Sequence, residues 1–384
     1  MESKVSLSEN IKVWAQEAGF DLVGIAGAEP LVDAERSTRE WLSSGMAAGM
    51  KWITQERIAL SSNPSRLLPN TRSVITLGKY YLPPQDDAAP ETVGPRGKIA
   101  RYAQGHDYHD VFPTRMARFV DRLAQELGRR PATRFFVDSS PLAEKPVAIR
   151  SGIGFYGKNS CVLTRGHGSW VLLAEILTDL ELEPDMPLRR DCGRCRICLD
   201  LCPTGAIVAP YHVDARLCIS YLTIEHRGPI LVELRKKMGS WIFGCDVCQE
   251  VCPYNKAAKL IEDPSFMPRV KVGPNPPLIP LLGLESRQFR ELFKGSPVLR
   301  TKRRGFLRNV AVAMGNARDP ASVPALARSL EDEEPLVRSH SAWALGQIGG
   351  QKARIALDLA LHRETDEEVR REIRLALDGY ALSR

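Results

Sequence analysis

The chain has 384 residues, enough for two or three domains and a sizeable buried core. Its 43% hydrophobic and 26% charged residues match an ordinary soluble globular protein and exclude wholesale disorder. A formal net charge of +7, from 53 basic against 46 acidic side chains, permits a polyanionic partner only where the charge is concentrated.

Glu2, Lys4, Glu9 and Lys12 interrupt any apolar run at the amino terminus, so no secretory signal is expected. No charge-free apolar stretch reaches the ~20 residues a membrane helix needs, and the expected address is the cytoplasm. Ser6 and Glu9 have capping-box spacing, while Leu7, Ile11, Trp14 and Ala18 recur at helical intervals. Together they predict an opening amphipathic helix ended by Gly19. Residues 21–26, 73–81 and 134–137 read as strands, with an amphipathic helix over 112–127. Residues 170–177 predict a buried strand interrupted by Glu175, and an acidic, proline-containing segment over 179–187 marks a boundary. These elements predict a mixed α/β domain over 1–180.

A cysteine-bearing module is expected over 181–273, followed by a stiff linker made by Pro274, Pro276, Pro277 and Pro280. Over 281–384, the run Ala311-Val312-Ala313-Met314-Gly315 recurs as Ala342-Trp343-Ala344-Leu345-Gly346, with a weaker echo at 374–378, a spacing of 31 to 32 residues. That period predicts two to three HEAT-like helix pairs, with an ordinary helical bundle as the alternative. Asp319-Pro320 and Glu334-Pro335 fall where turns are needed. The fold class is α+β: a mixed amino-terminal domain, a ferredoxin-like module and a helical-repeat tail.

Eight of the 9 cysteines lie between positions 192 and 252, and in a chain without an export signal they are expected as thiols rather than disulfides. Cys192, Cys195, Cys198 and Cys202, followed by Pro203, form the C-x2-C-x2-C-x3-C-P run of bacterial ferredoxins, whose fourth cysteine serves the other cluster. In the second run, Cys245, Cys248 and Cys252 precede Pro253, but Ile242 stands where the first cysteine belongs, which leaves Cys218 as the missing ligand. Crossing the fourth ligands gives Cys192, Cys195, Cys198 and Cys252 to one [4Fe-4S] cluster and Cys202, Cys218, Cys245 and Cys248 to the other. Zinc is the alternative occupant of soft thiolates, though it seldom needs the third cysteine of so compact a run. Two clusters in one module make a wire for single electrons, so the chemistry lies at another centre. The ninth cysteine, Cys161, is either a buried small hydrophobe or a ligand contact.

Several segments together resemble one family, the epoxyqueuosine reductases, which are cobalamin-dependent iron–sulfur enzymes. They are Val137-Asp138-Ser139-Ser140-Pro141-Leu142, Arg150-Ser151-Gly152-Ile153-Gly154-Phe155-Tyr156-Gly157-Lys158-Asn159, Cys218-Ile219-Ser220-Tyr221-Leu222-Thr223 and Tyr108-His109-Asp110-Val111, set beside the cysteine order and the HEAT-like tail. The resemblance implies reduction of the epoxide of epoxyqueuosine, at the wobble position of tRNA, to queuosine. It also implies that the amino-terminal domain binds cobalamin and that Asp138 is the proton donor. A positioned acid suits reductive epoxide opening, because the oxygen must leave as water. Without the resemblance Asp138 reads as a turn or cap residue. Implied cobalamin contacts are Arg57, Asp138, Lys158, Asn159, Ser160, Cys161, Val162, Ala215, Ser220, Asp246 and Val247; Arg57 also reads as a surface charge and Lys158 as a turn cap. Asp107 and His109 match the start of the D-x-H-x-x-G corrinoid motif, but Phe112 replaces its glycine, so His109 is read as structural rather than as a cobalt ligand.

Arg300, Lys302, Arg303, Arg304 and Arg308 form a stretch free of acids at the start of the helical tail, extended by Arg338. They are the expected tRNA-phosphate contacts, with a solvated helix face as the alternative. The resulting expectation is a monomeric cytoplasmic reductase with two clusters and cobalamin, supplied by an external electron donor. A dehalogenase-like reductase and an electron carrier with a partner-binding tail are the competing readings.

Overall fold

The computed structural model describes residues 6–84, 94–269 and 273–381, so Glu2 and Lys4 lie outside the described residues. The chain divides into two compact units. The first holds the described parts of Met1–Pro84, His106–Ala215 and Val247–Met267; the second holds those of Gln85–Gly105, Arg216–Asp246 and Pro268–Arg384. Among the described residues no helix is long and apolar enough to cross a membrane.

In chain order the first unit contains α1 (Leu7–Glu17), β1 (Leu22–Gly27), α2 (Gln55–Ser61), β2 (Ser73–Tyr80), α3 (Tyr108–Leu127), β3 (Thr133–Phe136), α4 (Glu144–Arg150), β4 (Gly154–Tyr156), β5 (Val162–Thr164) and β6 (Val171–Thr178). The capping box forms as the spacing predicts: Ser6 Oγ accepts the Glu9 N–H and the Glu9 carboxylate accepts the Ser6 N–H. Gly19, at φ +98°, ends the turn that follows. β1, β2, β6 and β3 form one antiparallel sheet in that order, with Ile25 opposite Ile75, Thr76 opposite Glu175 and Phe136 opposite Glu175. Every residue of β2 is buried, which requires cover on both faces. α4 supplies one cover, packing Val147 with Val74, Phe136 and Leu177.

α3 begins at Tyr108, a turn earlier than its periodicity predicts, and carries Pro113 inside it. The proline removes only one donor, and the Asp107 side chain caps the extended start by accepting the His109 N–H. At the far end of the unit, Asp263 accepts an ion pair from Arg115 at 2.8 Å and one from Lys79 at 3.2 Å. Although burial opposes ionisation, these partners and the Ser265 N–H hold its carboxyl at about 2.

In the second unit the proline-rich stretch is packed rather than free. The Gly97 N–H donates to the Pro276 carbonyl, the Leu278 N–H donates to Pro95, and Leu278–Leu282 turns into a short helix with Leu278 buried. The tail consists of α5 (Lys302–Ala317), α6 (Val323–Ser329), α7 (Pro335–Ile348), α8 (Gln351–Arg363) and α9 (Glu367–Ala381). α5 packs on α7 and α7 on α9, so the recurring sequence marks equivalent helices. The repeated glycines have a steric cause. A Cβ on Gly315 would lie 2.6 Å from the Trp343 ring, and one on Gly346 would lie 2.8 Å from the Ala376 Cβ. Pro335 occupies the first turn of α7 after Glu334, and Asp319 caps the turn containing Pro320.

Candidate active site and cluster ligands

The four cysteines expected in the first cage all lie in the first unit, near enough for the charges of three to bear on the fourth. Burial, then the neighbouring Cys252, Cys192 and Cys195, push the Cys198 thiol up to about 11; such a cage loses its protons when a cation arrives. Cys252 is buried against Phe155, Leu163 and Cys192. Lys158 Nζ donates to the carbonyls of Gly193 at 2.6 Å and Cys195 at 2.9 Å, and Asn159 Nδ2 donates to the Cys248 carbonyl at 3.3 Å. These two side chains therefore tie down the cysteine loops. Cys202 and Cys248 belong to the first unit, Cys218 and Cys245 to the second. Burial opposes ionisation of Cys202, but the Thr204 side chain and the backbone amides of Thr204, Ala206 and Ile207 hold its thiol below the usual range, the kind of donor set that surrounds cluster sulfur. No three histidine, cysteine or acidic side chains among the described residues gather closely enough for a single metal ion.

Asp138 follows the end of β3 at φ +32°, in the left-handed region. Its turn is braced locally by the Val137 N–H on Ser140 Oγ at 3.1 Å, and from a distance by Arg57, which donates to the Ser139 carbonyl at 3.0 Å. The Asp138 N–H donates to Glu144 Oε2 at 3.2 Å. With 50% of its side chain exposed, Asp138 faces a cavity of ≈ 180 Å³ whose wall includes Tyr108, Glu144, Lys145, Cys161 and Val162.

His109 stands behind the acid, with Nε2 3.6 Å from Asp138 Oδ2 and Nδ1 2.8 Å from Asp107 Oδ1. Burial works against its charge, but the contacts with Asp107 and Asp138 and their negative charges outweigh it and raise His109 to about 9. These contacts favour the imidazolium at neutral pH and set it beside Asp138. The sequence carried the Asp107-x-His109 spacing but gave no sign that Asp138 would face the ring. Glu144 was also missed: burial first, then the Asp138 charge, push its carboxyl up to about 7.

The other expected contacts are spread out. Ser160, at φ +63°, donates through Oγ to the Tyr211 carbonyl, and the buried Ala215 donates its N–H to the Met46 carbonyl. Val247 starts a short helix, Val247–Glu250, in the first unit. In the second unit Ser220 lies in the helix Ile219–Ile224, and the buried Asp246 accepts the Arg101 N–H at 2.8 Å.

The basic stretch needs correction. Arg308 is fully buried, donating to the carbonyls of Leu222, His226 and Gly228 and to Asn309 Oδ1, so it cannot reach a phosphate. Arg303 forms a two-pronged pair with Asp332, and Arg338 another with Glu364. Arg300 pairs with Glu225. Arg300, Lys302 and Arg304 are nevertheless exposed, Arg304 with its guanidinium 4.0 Å from Glu334.

Residues 191–255 match the family described as a 4Fe-4S double cluster binding domain, a span that takes in all eight expected ligands. Residues 62–139 match the one described as epoxyqueuosine reductase QueG, DUF1730, and 298–378 match HEAT repeats. The epoxyqueuosine reductase of Xanthomonas campestris pv. campestris is 41% identical over 344 residues, covering 88% of this chain and 95% of that protein. The one from Escherichia coli (strain K12) is 40% identical over 345 residues, covering 89% of each. A solved epoxyqueuosine reductase with a tRNA-Tyr epoxyqueuosine-modified stem loop superposes with a TM-score of 0.91 at 33% identity, covering 98% of this chain and 99% of that one. A selenomethionine-labelled crystal structure does so with a TM-score of 0.91 at 34% identity, over 97% and 98%. With such likeness along almost its whole length, the chain belongs to the epoxyqueuosine reductase family.

Proposed function

We propose that this chain reduces the epoxide of epoxyqueuosine at the wobble position of tRNA to the alkene of queuosine, with Asp138 protonating the departing oxygen. The observation that carries this reading is the placement of Asp138: half-exposed on a cavity, with the His109 imidazolium 3.6 Å away and Glu144 on its backbone N–H. Net reaction adds two electrons and two protons, breaks both C–O bonds and releases water. The eight cysteines suit two [4Fe-4S] clusters, with Cys192, Cys195, Cys198 and Cys252 assigned one and Cys202, Cys218, Cys245 and Cys248 the other by the crossed order of the motif.

Asp138, Cys161 and Val162 share the cavity wall, which is compatible with a cofactor presented to Asp138 there. Bound cobalamin would supply a low-valent cobalt able to pass electrons to carbon. Arg57 steadies the Asp138 turn through Ser139, and Lys158 and Asn159 bind carbonyls of the cysteine loops. The rest of the implied cobalamin set, Ser160, Ala215, Ser220, Asp246 and Val247, is assigned by family likeness alone. For tRNA we retain Arg300, Lys302 and Arg304 as phosphate contacts, since all three are exposed at or just before the first turn of α5. The protein is read as a cytoplasmic monomer drawing electrons from an external reductant.

The test is an anaerobic single turnover with cobalamin, a chemical reductant and tRNA bearing epoxyqueuosine, followed by nucleoside mass analysis. Loss of one oxygen from the base, dependent on cobalamin, is expected. Unchanged nucleoside with both clusters intact would remove the substrate assignment and reopen the dehalogenase-like and carrier readings.

A further inference from the structure

We infer that Glu144 and Glu175 are a built-in proton store that reloads Asp138 through water held in the cavity. This rests on the reading above. Converting an epoxide to an alkene and water consumes two protons at one oxygen, while a single carboxyl carries one. A second proton must reach Asp138 before the product leaves.

Two groups beside Asp138 could give it. His109, held as an imidazolium by two carboxylates, keeps its proton to about 9. Glu144 holds its proton to about 7, where a donor is matched to neutral pH. Glu144 opens α4, binds the Asp138 N–H, and lines the same cavity, which is roomy enough for bridging water. The groups facing it are Asp138, His109, Lys145, Glu175 and Tyr156. Lys145 is engaged with the Ser160 carbonyl, and the Tyr156 hydroxyl is raised by burial and by Glu144, so it stays protonated.

Glu175 lies deeper. Alternation along β6 puts it on the face shared by Leu173 and Leu177, which is the face covered by Val147 and Ala148 of α4. Its partners across the sheet are Thr76 and Phe136. Glu175 is 0% exposed and neither carboxyl oxygen has a hydrogen-bond partner; Thr76 Oγ1 beside it has none either. An acid in an apolar layer without a donor cannot ionise cheaply. Burial, then the charges of Glu144 and Asp138, hold it protonated. An unpartnered polar pair beneath α4 costs stability and has no packing purpose, whereas a proton held behind Glu144 serves the reaction in front of it.

Two arms test this on the cluster- and cobalamin-loaded protein. In single turnover across neutral pH, the wild-type rate should fall as pH rises through about 7, the value at which Glu144 loses its proton. Glu144→Gln should lower the rate about tenfold or more and erase that limb, with tRNA affinity unchanged. In infrared difference spectra, Glu175→Gln should remove one protonated-carboxyl C=O band at neutral pH. The store is overturned if the wild type turns over while Glu144→Gln keeps its rate and pH profile, or if Glu175→Gln removes no such band. A wild type that leaves the epoxide intact overturns the functional reading instead, and the infrared arm still decides whether Glu175 holds a proton.

Discussion

His109 Nε2 stands 3.6 Å from Asp138 Oδ2, although the two residues come from different elements, the start of α3 and the turn after β3. The distance is too long for a hydrogen bond, so the ring acts on Asp138 by charge, favouring the carboxylate that is left once its proton has been given up, while Asp107 fixes the ring. Removing the acid and removing the ring therefore have different consequences.

Asp138→Asn keeps the shape of the turn and abolishes the transferable proton. The single-turnover rate should fall about a hundredfold or more, while iron content and the visible absorption of the clusters stay at wild-type levels. A rate within a fewfold of wild type would show that another group protonates the oxygen.

His109 links folding to pH. Its folded value, about 9, lies above its ordinary 6.5. The imidazolium therefore contributes stability that is fully present below about 6.5 and is lost as pH rises through about 9. Urea midpoints of wild type and His109→Gln should differ most in mildly acidic buffer and converge in alkaline buffer.

Glu175 is a burden rather than a support, although its pH dependence runs the same way. A carboxyl raised above its ordinary 4.5 favours the folded state only while protonated, so its burden on stability grows as pH climbs from that value. Glu175→Gln should be at least as stable as wild type near neutrality, with an advantage that widens with pH in thermal melts.

Arg308 and Lys302 separate structure from binding. Arg308→Met strands the carbonyls of Leu222, His226 and Gly228, and should cost on the order of 3 kcal/mol in denaturant titrations. Lys302→Glu with Arg304→Glu should leave stability nearly unchanged but weaken tRNA binding and flatten its salt dependence. Equal tRNA affinity for the double variant at low salt would remove this face from the interface.

What the sequence disclosed follows from range. The capping box of Ser6 and Glu9, the strand at 73–80 and the repeat of Gly315 in Gly346 are local or periodic features, and each is present as its pattern predicts. The cysteine run was legible because cluster geometry dictates its spacing. The approach of His109 to Asp138 was not legible because the two lie 29 positions apart in the chain. Arg308 was misread because α5 is buried along the whole of Gly305–Gly315, so a basic pattern normally taken as a solvated face points inward. Glu175 stood out as an interruption of an apolar strand, yet nothing in the alternation showed that its carboxyl would lack a partner.

The order in which the units are drawn from the chain bears on how the protein is made. The first unit takes its last segment from Val247–Met267, after the chain has already contributed Arg216–Asp246 to the second. On the ribosome, Arg115 and Lys79 must therefore wait for Asp263 to emerge before their ion pairs close. Any truncation before that point leaves both units unfinished, so cutting ahead of the cysteine module cannot release a free-standing catalytic fragment.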